Sequence, residues 1–194
     1  PMYQWATDLF PIHRSLTGEG VRETLRYLGG LLPGLKVHEV PSGTKAFDWT
    51  VPKEWVIRSA YICNDLTAKV VVDITKSNLH VVQYSAPFTG VISRDELDEH
   101  LHSLPDQPDA VPYVTCYYKE RWGFCISHRQ RQALPDVPYF VKIDSELKDG
   151  SLSMGELVLP GEDQDEVLLS TYVCHPSMAN NELSGPVVVT ALAQ

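Results

Sequence analysis

The feature that most constrains the fold is a succession of three segments close to residue 194. Val167 to Cys174 is short, mostly apolar and rich in β-branched residues, which predicts a buried strand. His175 to Glu182 is polar and interrupted by a proline, which predicts a loop. The apolar run from Val187 to Ala193 predicts a helix or another strand, and Pro186 suits the first turn of a helix with Ser184 as its cap.

The polar loop carries the densest set of chemically useful groups in the chain, namely a histidine, two amides, a carboxylate and a hydroxyl. In α/β proteins, the order strand, loop, helix places ligands beyond the carboxyl end of the strand. We therefore expect His175 to lie at the edge of a sheet, beside the beginning of a helix. Cys174, next to it, is either a nucleophile or, as we prefer, a small buried strand residue.

Composition excludes several classes of function. The 194 residues are 43% hydrophobic, which allows one domain with a smaller inserted module. A net charge of -9 argues against nucleic acid as a partner, because phosphate binding requires clustered Lys and Arg. No apolar run approaches the ~20 residues of a membrane span, and the first residues show no signal-peptide pattern. Four cysteines without a C-x-x-C pattern predict reduced thiols in a cytoplasmic protein.

The pattern of predicted helices and strands changes twice along the chain. Residues 1–47 and 135–194 have the alternating helix and strand patterns of one discontinuous α/β domain, whereas 48–134 predict an inserted β-rich module. The fold class expected is α/β, with a partial mixed sheet flanked by helices. Because the chain lacks an initial methionine and stops inside an apolar run, the sequence also predicts a fragment of a longer protein.

Local patterns predict individual elements. Val21, Leu25, Leu28 and Leu32 recur at helical spacing after a turn in which Thr17 is the expected cap. Ser93 and Glu96 form a capping box that opens a helix expected to reach Pro105, with His100 and His102 solvated.

Two hairpins are expected further along the chain. Residues 139–147 and 152–159 form one, and 113–119 with 122–127 form an aromatic one. The aromatic side chains are either the core of a small β-domain, which we prefer, or a platform for stacking sugars or peptides.

Several motifs together resemble a known family. The first is Cys174-His175-Pro-Ser-x-Ala-Asn-Asn-Glu-Leu-Ser184-Gly185-Pro186. The others are Arg14-Ser-Leu-Thr-Gly-Glu-Gly20, Val40-Pro-Ser-Gly43, Phe47-Asp-Trp49, Asn78-Leu-His80, Tyr117-Tyr-Lys-Glu-Arg-Trp-Gly-Phe-Cys125 and Ile143-Asp-Ser-Glu-Leu147. They span almost the whole chain. The chain is thereby identified as similar to bacterial proteins with an aminopeptidase-like domain, often labelled polysaccharide biosynthesis proteins, which carry an inserted domain of unknown function.

The resemblance implies membership of the zinc aminopeptidase superfamily, whose pattern is a strand ending in His-x-Asp followed by Asn-Asp-x-x-Ser-Gly at a helix. On this pattern His175 matches the zinc ligand. Ser177 replaces the Asp that orients the histidine, and Asn181 replaces the Asp that bridges two metals. Both departures remove negative charge, and a neutral amide is a poor bridge between divalent ions. Glu182, one residue later, is the expected substitute ligand.

The metal site implied by the resemblance is therefore His175, Asn181 and Glu182, with zinc as the cofactor and further ligands outside this chain. The fragment alone should not hold two zinc ions tightly or be active. The opposing interpretation is a hydrogen-bonded loop that caps a helix and binds no metal. The expected function is a metal-dependent aminopeptidase-like hydrolase acting on a peptide or amino-sugar type of substrate. The alternative is a non-catalytic scaffold or binding protein in polysaccharide biosynthesis.

Overall fold

The computed structural model describes all 194 residues, and their contacts divide the chain into two compact units. We call Pro1–Glu54 with Lys148–Gln194 the terminal unit, and Trp55–Leu147 the central unit. The sequence predicts boundaries after residues 47 and 134, whereas the contacts change after 54 and 147. The chain combines helices with small sheets, so the protein is of mixed α/β class. None of its helices combines the length and apolar character that crossing a membrane requires.

Two helices open the terminal unit, α1 at Met2–Leu9 and α2 at Glu19–Leu31. The predicted apolar face of α2 is confirmed, because the residues at helical spacing are buried. Thr17 is not the cap of this helix. Gly18 occupies that position with a φ of 101°, a left-handed conformation that side chains with a Cβ rarely adopt.

The strands of the terminal unit pair over long sequence distances. Strand β1 (Lys36–Pro41) is antiparallel to β10 (Ser151–Glu156), and the two-residue strands β2 (Lys45–Ala46) and β3 (Trp49–Thr50) form a second pair. The predicted hairpin between 139–147 and 152–159 is wrong in its pairing. Its second strand exists, but its hydrogen-bonding partner is β1, over 100 residues away in sequence.

The carboxyl-terminal elements differ from the prediction in one important respect. Residues 167–174 form no strand, and Val167 and Leu168 are 88% and 87% exposed. A strand needs a neighbour to satisfy its backbone groups, and this segment pairs with neither β1 nor β10. The polar loop ends in a π-helix, Ala179–Leu183, which leads into helix α5 (Ser184–Ala193). The helical alternative for 187–193 is thus confirmed, but Ser184 does not cap it.

The central unit is organised around a four-stranded sheet in the order β5-β4-β9-β6. Its strands are β4 (Glu54–Asn64), β5 (Val70–Asp73), β6 (Phe88–Ile92) and β9 (Tyr139–Lys148). In β9 the buried positions alternate with partly exposed ones, which is the period of a strand with one face in the core. The buried residues of β9 in this face are Tyr139, Val141, Ile143 and Ser145.

Short elements complete the central unit: α3 (Arg94–Glu99), β7 (Leu101–His102), β8 (Phe124–Cys125) and α4 (His128–Gln132). The predicted cap of α3 is confirmed, since the Ser93 side chain accepts the Glu96 N–H. The helix does not reach Pro105. It ends at Glu99, because the chain enters the parallel pair of β7 and β8.

Aromatic residues between 113 and 127 contact other rings of the central unit. The predicted hairpin of 113–119 with 122–127 is absent, and only Phe124–Cys125 of that region forms a strand. Trp122 is stacked between Phe88 and His100, at ring centroid distances of 4.2 and 3.6 Å. His100 is therefore a packed residue, not the solvated one that the sequence predicts.

Candidate functional site

The predicted site loop bends sharply between the exposed segment and the π-helix. Pro176 is buried, and Ser177 follows with a φ of 44°, in the left-handed region that is uncommon for residues other than glycine. The Ser177 hydroxyl donates to the carbonyl of Phe10 at 3.1 Å, which ties the bend to the end of α1. Backbone strain and π-helical turns are both concentrated at functional sites in proteins.

Glu182, in the π-helix, reaches back across the loop. Its side chain is 0% exposed. One oxygen, Oε2, accepts the backbone N–H groups of Cys174 at 3.0 Å and His175 at 2.9 Å. The other oxygen, Oε1, pairs with Nδ1 of the His175 ring. These contacts compensate the cost of burying a carboxylate, which is large when a charge is left unpaired.

The same contacts set the charge of Glu182. Burial raises the pKa of this carboxyl, but the hydrogen bonds from the His175 ring and from the two backbone N–H groups together outweigh burial. The resulting pKa lies below the ordinary value, so Glu182 is ionised at neutral pH. Glu182 is the only carboxylate in the group that it forms with Cys174 and His175.

Cys174 adds a third donor atom that the sequence prediction leaves out of the metal site. Its Sγ lies 2.8 Å from His175 Nδ1 and 3.9 Å from Glu182 Oε1. Burial and the neighbouring Glu182 carboxylate raise the pKa of the thiol to about 12. Because the thiolate is the reactive form, this thiol is a poor nucleophile without a cation beside it.

Arg14 holds the site loop in place through hydrogen bonds. Its side chain is fully buried, and its Nε donates to the carbonyl of His175 at 3.0 Å. Nη1 donates to the carbonyl of Leu9 at 2.8 Å and approaches the Thr24 hydroxyl at 3.4 Å. Burial lowers the pKa of the guanidinium, while the charge of Glu182 acts in the opposite direction. Arg14 therefore connects α1, α2 and the site loop by charge-assisted hydrogen bonds.

Two glycines allow the backbone to close around this arrangement. A Cβ at Gly20 would lie 2.1 Å from the carbonyl oxygen of His13, the residue before Arg14. A Cβ at Gly185 would lie 2.1 Å from Oγ1 of Thr171. Gly20 therefore requires the absence of a side chain, because the atoms it approaches belong to the backbone, whereas a side chain at Gly185 would require the Thr171 hydroxyl to rotate away. This explains the glycine that ends the motif beginning at Arg14.

The structure brings together two of the three ligands that the sequence predicts. His175 and Glu182 are in direct contact, whereas Asn181 lies at the surface on the π-helix. Arg14 and Cys174 belong to the cluster as well. The sequence contained a signal for both, since each lies inside a family motif, but the motifs do not show that they contact one another.

The donor set is compatible with a metal ion. The ligand atoms of Cys174, His175 and Glu182 all lie within 4.8 Å of one another. Zinc in proteins is bound by sulfur, nitrogen and oxygen donors of these residue types, commonly four at a time. The three residues would thus supply part of a coordination sphere.

Comparison with known proteins places the chain in a family. Residues 3–194 match the family described as "Domain of unknown function (DUF4910)". The chain belongs to the DUF4910 family. The resemblance inferred from the motifs is confirmed by a curated relative from Clostridium acetobutylicum, 49% identical over 193 residues, named "Putative polysaccharide biosynthesis protein with aminopeptidase-like domain".

A solved structure gives the same result for the fold of this DUF4910 chain. The crystal structure of a "putative peptidase" from Clostridium acetobutylicum superposes with a TM-score of 0.96 at 48% identity and covers 99% of this chain. The chain spans 44% of the length of the curated relative and 45% of that crystallised chain. The peptidase and aminopeptidase-like names therefore describe proteins more than twice as long.

Proposed function

We propose that this chain is part of a metal-dependent aminopeptidase-like hydrolase that cleaves a peptide or amide bond. The observation that carries the proposal is the cluster of Cys174, His175 and Glu182 at the approach to α5. A metal-ligating histidine beside a buried carboxylate is a common pairing in metalloenzymes. The names of the two relatives point to the same class of reaction.

The proposed metal is zinc, and His175 is the residue most directly suited to hold it. Cys174 and Glu182 lie within reach of the same ion, and Asn181 stays a proposed ligand although its side chain is at the surface. When bound, zinc would supply a polarised water as the nucleophile. We infer that further carboxylates from the longer protein complete the site, since Arg14 already offsets the charge of Glu182.

The two units fit a peptidase-type fold with an insertion. The terminal unit is discontinuous in sequence and contains the candidate site, whereas the central unit is one continuous segment. We propose that the central unit is a β-rich domain inserted into an aminopeptidase-like α/β domain. The proposed substrate is a small peptide or an amino-sugar derivative, and the proposed compartment is the cytoplasm.

A specific observation favours a second function, that of a non-catalytic scaffold or binding protein in polysaccharide biosynthesis. The Glu182 carboxylate is already satisfied by hydrogen bonds from Cys174 and His175. The loop therefore has a stable arrangement that needs no metal. The name of the curated relative includes polysaccharide biosynthesis, which supports this alternative.

Metal analysis of the full-length protein separates the two functions. We expect stoichiometric zinc and hydrolysis of amino-acid anilides or small peptides, and we expect His175→Ala to lose both. Glu166→Gln, on an exposed segment, is the matched control and should lose neither. A folded protein that takes up no zinc and hydrolyses none of these substrates would refute the hydrolase and leave the scaffold.

A further inference from the structure

His175 is held at three separate points. Its backbone N–H donates to Glu182 Oε2 at 2.9 Å, and its carbonyl accepts Nε of Arg14 at 3.0 Å. The third point is the ring itself, through the pairing of Nδ1 with Glu182 Oε1. Both the position of the residue along the chain and the rotation of its ring are thereby fixed by two buried, charged side chains.

The contact to the ring also determines where the imidazole proton lies. Oε2 of Glu182 accepts two backbone N–H groups, and a carboxylate that accepts hydrogen bonds on both oxygens requires Nδ1 to carry the hydrogen in its contact with Oε1. In a neutral imidazole with hydrogen on Nδ1, the lone pair is on Nε2. The proton on one ring nitrogen therefore decides which nitrogen can bind a metal ion.

We propose that Glu182 is a positioning residue for His175, which keeps the proton on Nδ1 and presents the Nε2 lone pair to the metal. This inference rests on the proposed function for its metal. It assigns Glu182 a role through the histidine, and this role replaces the role of direct ligand that the sequence predicts and that the proposed function allows. Arg14 completes the arrangement by holding the carbonyl of the same residue.

The neighbouring residues support this assignment. The residue two positions after His175 is Ser177, which carries no carboxylate. The Ser177 hydroxyl donates to Phe10 at the end of α1. Glu182, seven residues after His175, provides the carboxylate contact to the ring instead. For Glu182 to become a ligand through Oε1, that oxygen would have to leave Nδ1.

The decisive substitution is Glu182→Gln, because an amide has one accepting and one donating end. The backbone N–H groups of Cys174 and His175 require an acceptor, so the amide oxygen should take the place of Oε2. The NH₂ group then faces Nδ1, which must accept, and the imidazole proton moves to Nε2. A purely structural role gives no reason for such a change of tautomer.

The test is nitrogen NMR of the metal-free full-length protein with ¹⁵N-labelled histidine, at about pH 8, above the ordinary pKa of imidazole. The His175 signals are identified by their loss in His175→Gln. We expect a protonated Nδ1 in the wild type and in Glu166→Gln, and a protonated Nε2 in Glu182→Gln. A wild type with its proton on Nε2, or an unchanged tautomer in Glu182→Gln, would overturn the proposal.

Zinc titration against a competing chelator gives the second readout. Loss of a contact to the outer nitrogen of a ligating histidine lowers metal affinity about 10- to 100-fold, so we expect this loss in Glu182→Gln and none in Glu166→Gln. Unchanged affinity in Glu182→Gln also contradicts the proposal. If Glu182→Gln does not fold, the tautomer of the wild type decides alone. A wild type that binds no zinc but has the expected tautomer supports the positioning role while refuting the proposed hydrolase.

Discussion

The two units differ in how much of their apolar surface they bury. The central unit encloses most of its apolar residues within one four-stranded sheet and the elements around it, and Phe124, Val141 and Ile62 are fully buried. The terminal unit buries a smaller cluster around Leu9, Leu28 and Leu183. It also exposes an apolar stretch and much of α5, including Leu168 and Leu192.

Two exposed apolar residues of the terminal unit, Met154 and Tyr172, border an apolar cavity. This cavity, of about 380 Å³, is bordered by leucines of α2 and by Val173, Cys174 and Val189. The site residue Cys174 thus lies at the boundary between a packed cluster and an open apolar surface. The comparison teaches that the candidate site belongs to the unit whose core is less completely enclosed.

The largest expected effect is in the central unit. Phe124→Ala removes a fully buried aromatic ring from a closed core, so the free energy of unfolding should fall by about 3–5 kcal/mol. Urea denaturation followed by fluorescence of Trp55 and Trp122 measures this loss. A loss below about 1 kcal/mol would show that the central core is not closely packed, and the contrast between the units would disappear.

Gly20→Ala should produce the next largest effect, in the terminal unit. The new Cβ would meet the His13 carbonyl at 2.1 Å and displace the backbone that carries Arg14, at a cost of roughly 3 kcal/mol. Gly30→Ala is the matched control, because it lies in α2 with nothing within 4 Å, and it should stabilise by about 0.5–1 kcal/mol. Thermal unfolding measures both. Equal effects of the two substitutions would contradict the close approach at Gly20.

The units should also respond differently to acid. Burial, together with the charge of Arg14, lowers the pKa of His13 to about 4. Between pH ~6.5 and 4, the His13 imidazole therefore binds a proton more readily in the unfolded chain than in the folded terminal unit. The free energy of unfolding should therefore decrease by about 2 kcal/mol as the pH falls from ~6.5 to 4, and His13→Gln should remove this slope.

The central unit should lose stability at lower pH. A hydrogen bond from Arg131, assisted by Arg94, lowers the pKa of Asp98 to about 2. Its stabilising effect is complete above the ordinary carboxyl pKa and declines as the pH falls toward 2. Denaturation curves between pH 7 and 3, recorded for variants in which only Trp5 or only Trp55 remains, test the order. If the central unit loses stability first, the assignment to these groups is wrong.

The smallest effect is expected on the exposed stretch. Leu168→Ala should change the free energy of unfolding of the 194-residue chain by less than about 0.5 kcal/mol, since the side chain is 87% exposed. Backbone amides of 167–173 should exchange with solvent much faster than those of β4 and β9, because they belong to no strand. Strong protection of these amides would show that the stretch is paired and that the two units are alike.

The sequence predicts the elements whose signals are local. Helix α2 follows from its apolar spacing, and the cap of α3 follows from Ser93 and Glu96. Strand partners are not local, so the pairing of β10 with β1 could not be read from the alternation of 152–159. The same limit applies to 167–174, where a strand-like composition occurs without a neighbouring strand.

The candidate site was predictable to a similar extent. His175 and Glu182 could be proposed from the polar loop and the family motifs, and they are in contact. The role of each carboxylate oxygen of Glu182 could not be predicted, because it depends on a π-helical turn that brings the carboxylate into contact with residues 174 and 175. Arg14 is 161 residues away from His175 in sequence, and only the folded chain brings them together.

The π-helix has a consequence for how the length of this loop can vary. Glu182 connects the two ends of the loop, because its carboxylate accepts the backbone N–H groups of Cys174 and His175 and also contacts the His175 ring. Deleting or adding one residue between 176 and 181 would change the number of residues that separate the carboxylate from His175, and it would turn the carboxylate away from the imidazole. Homologous chains that conserve this contact should therefore tolerate exchanges of residue type in the loop but no change in the number of residues.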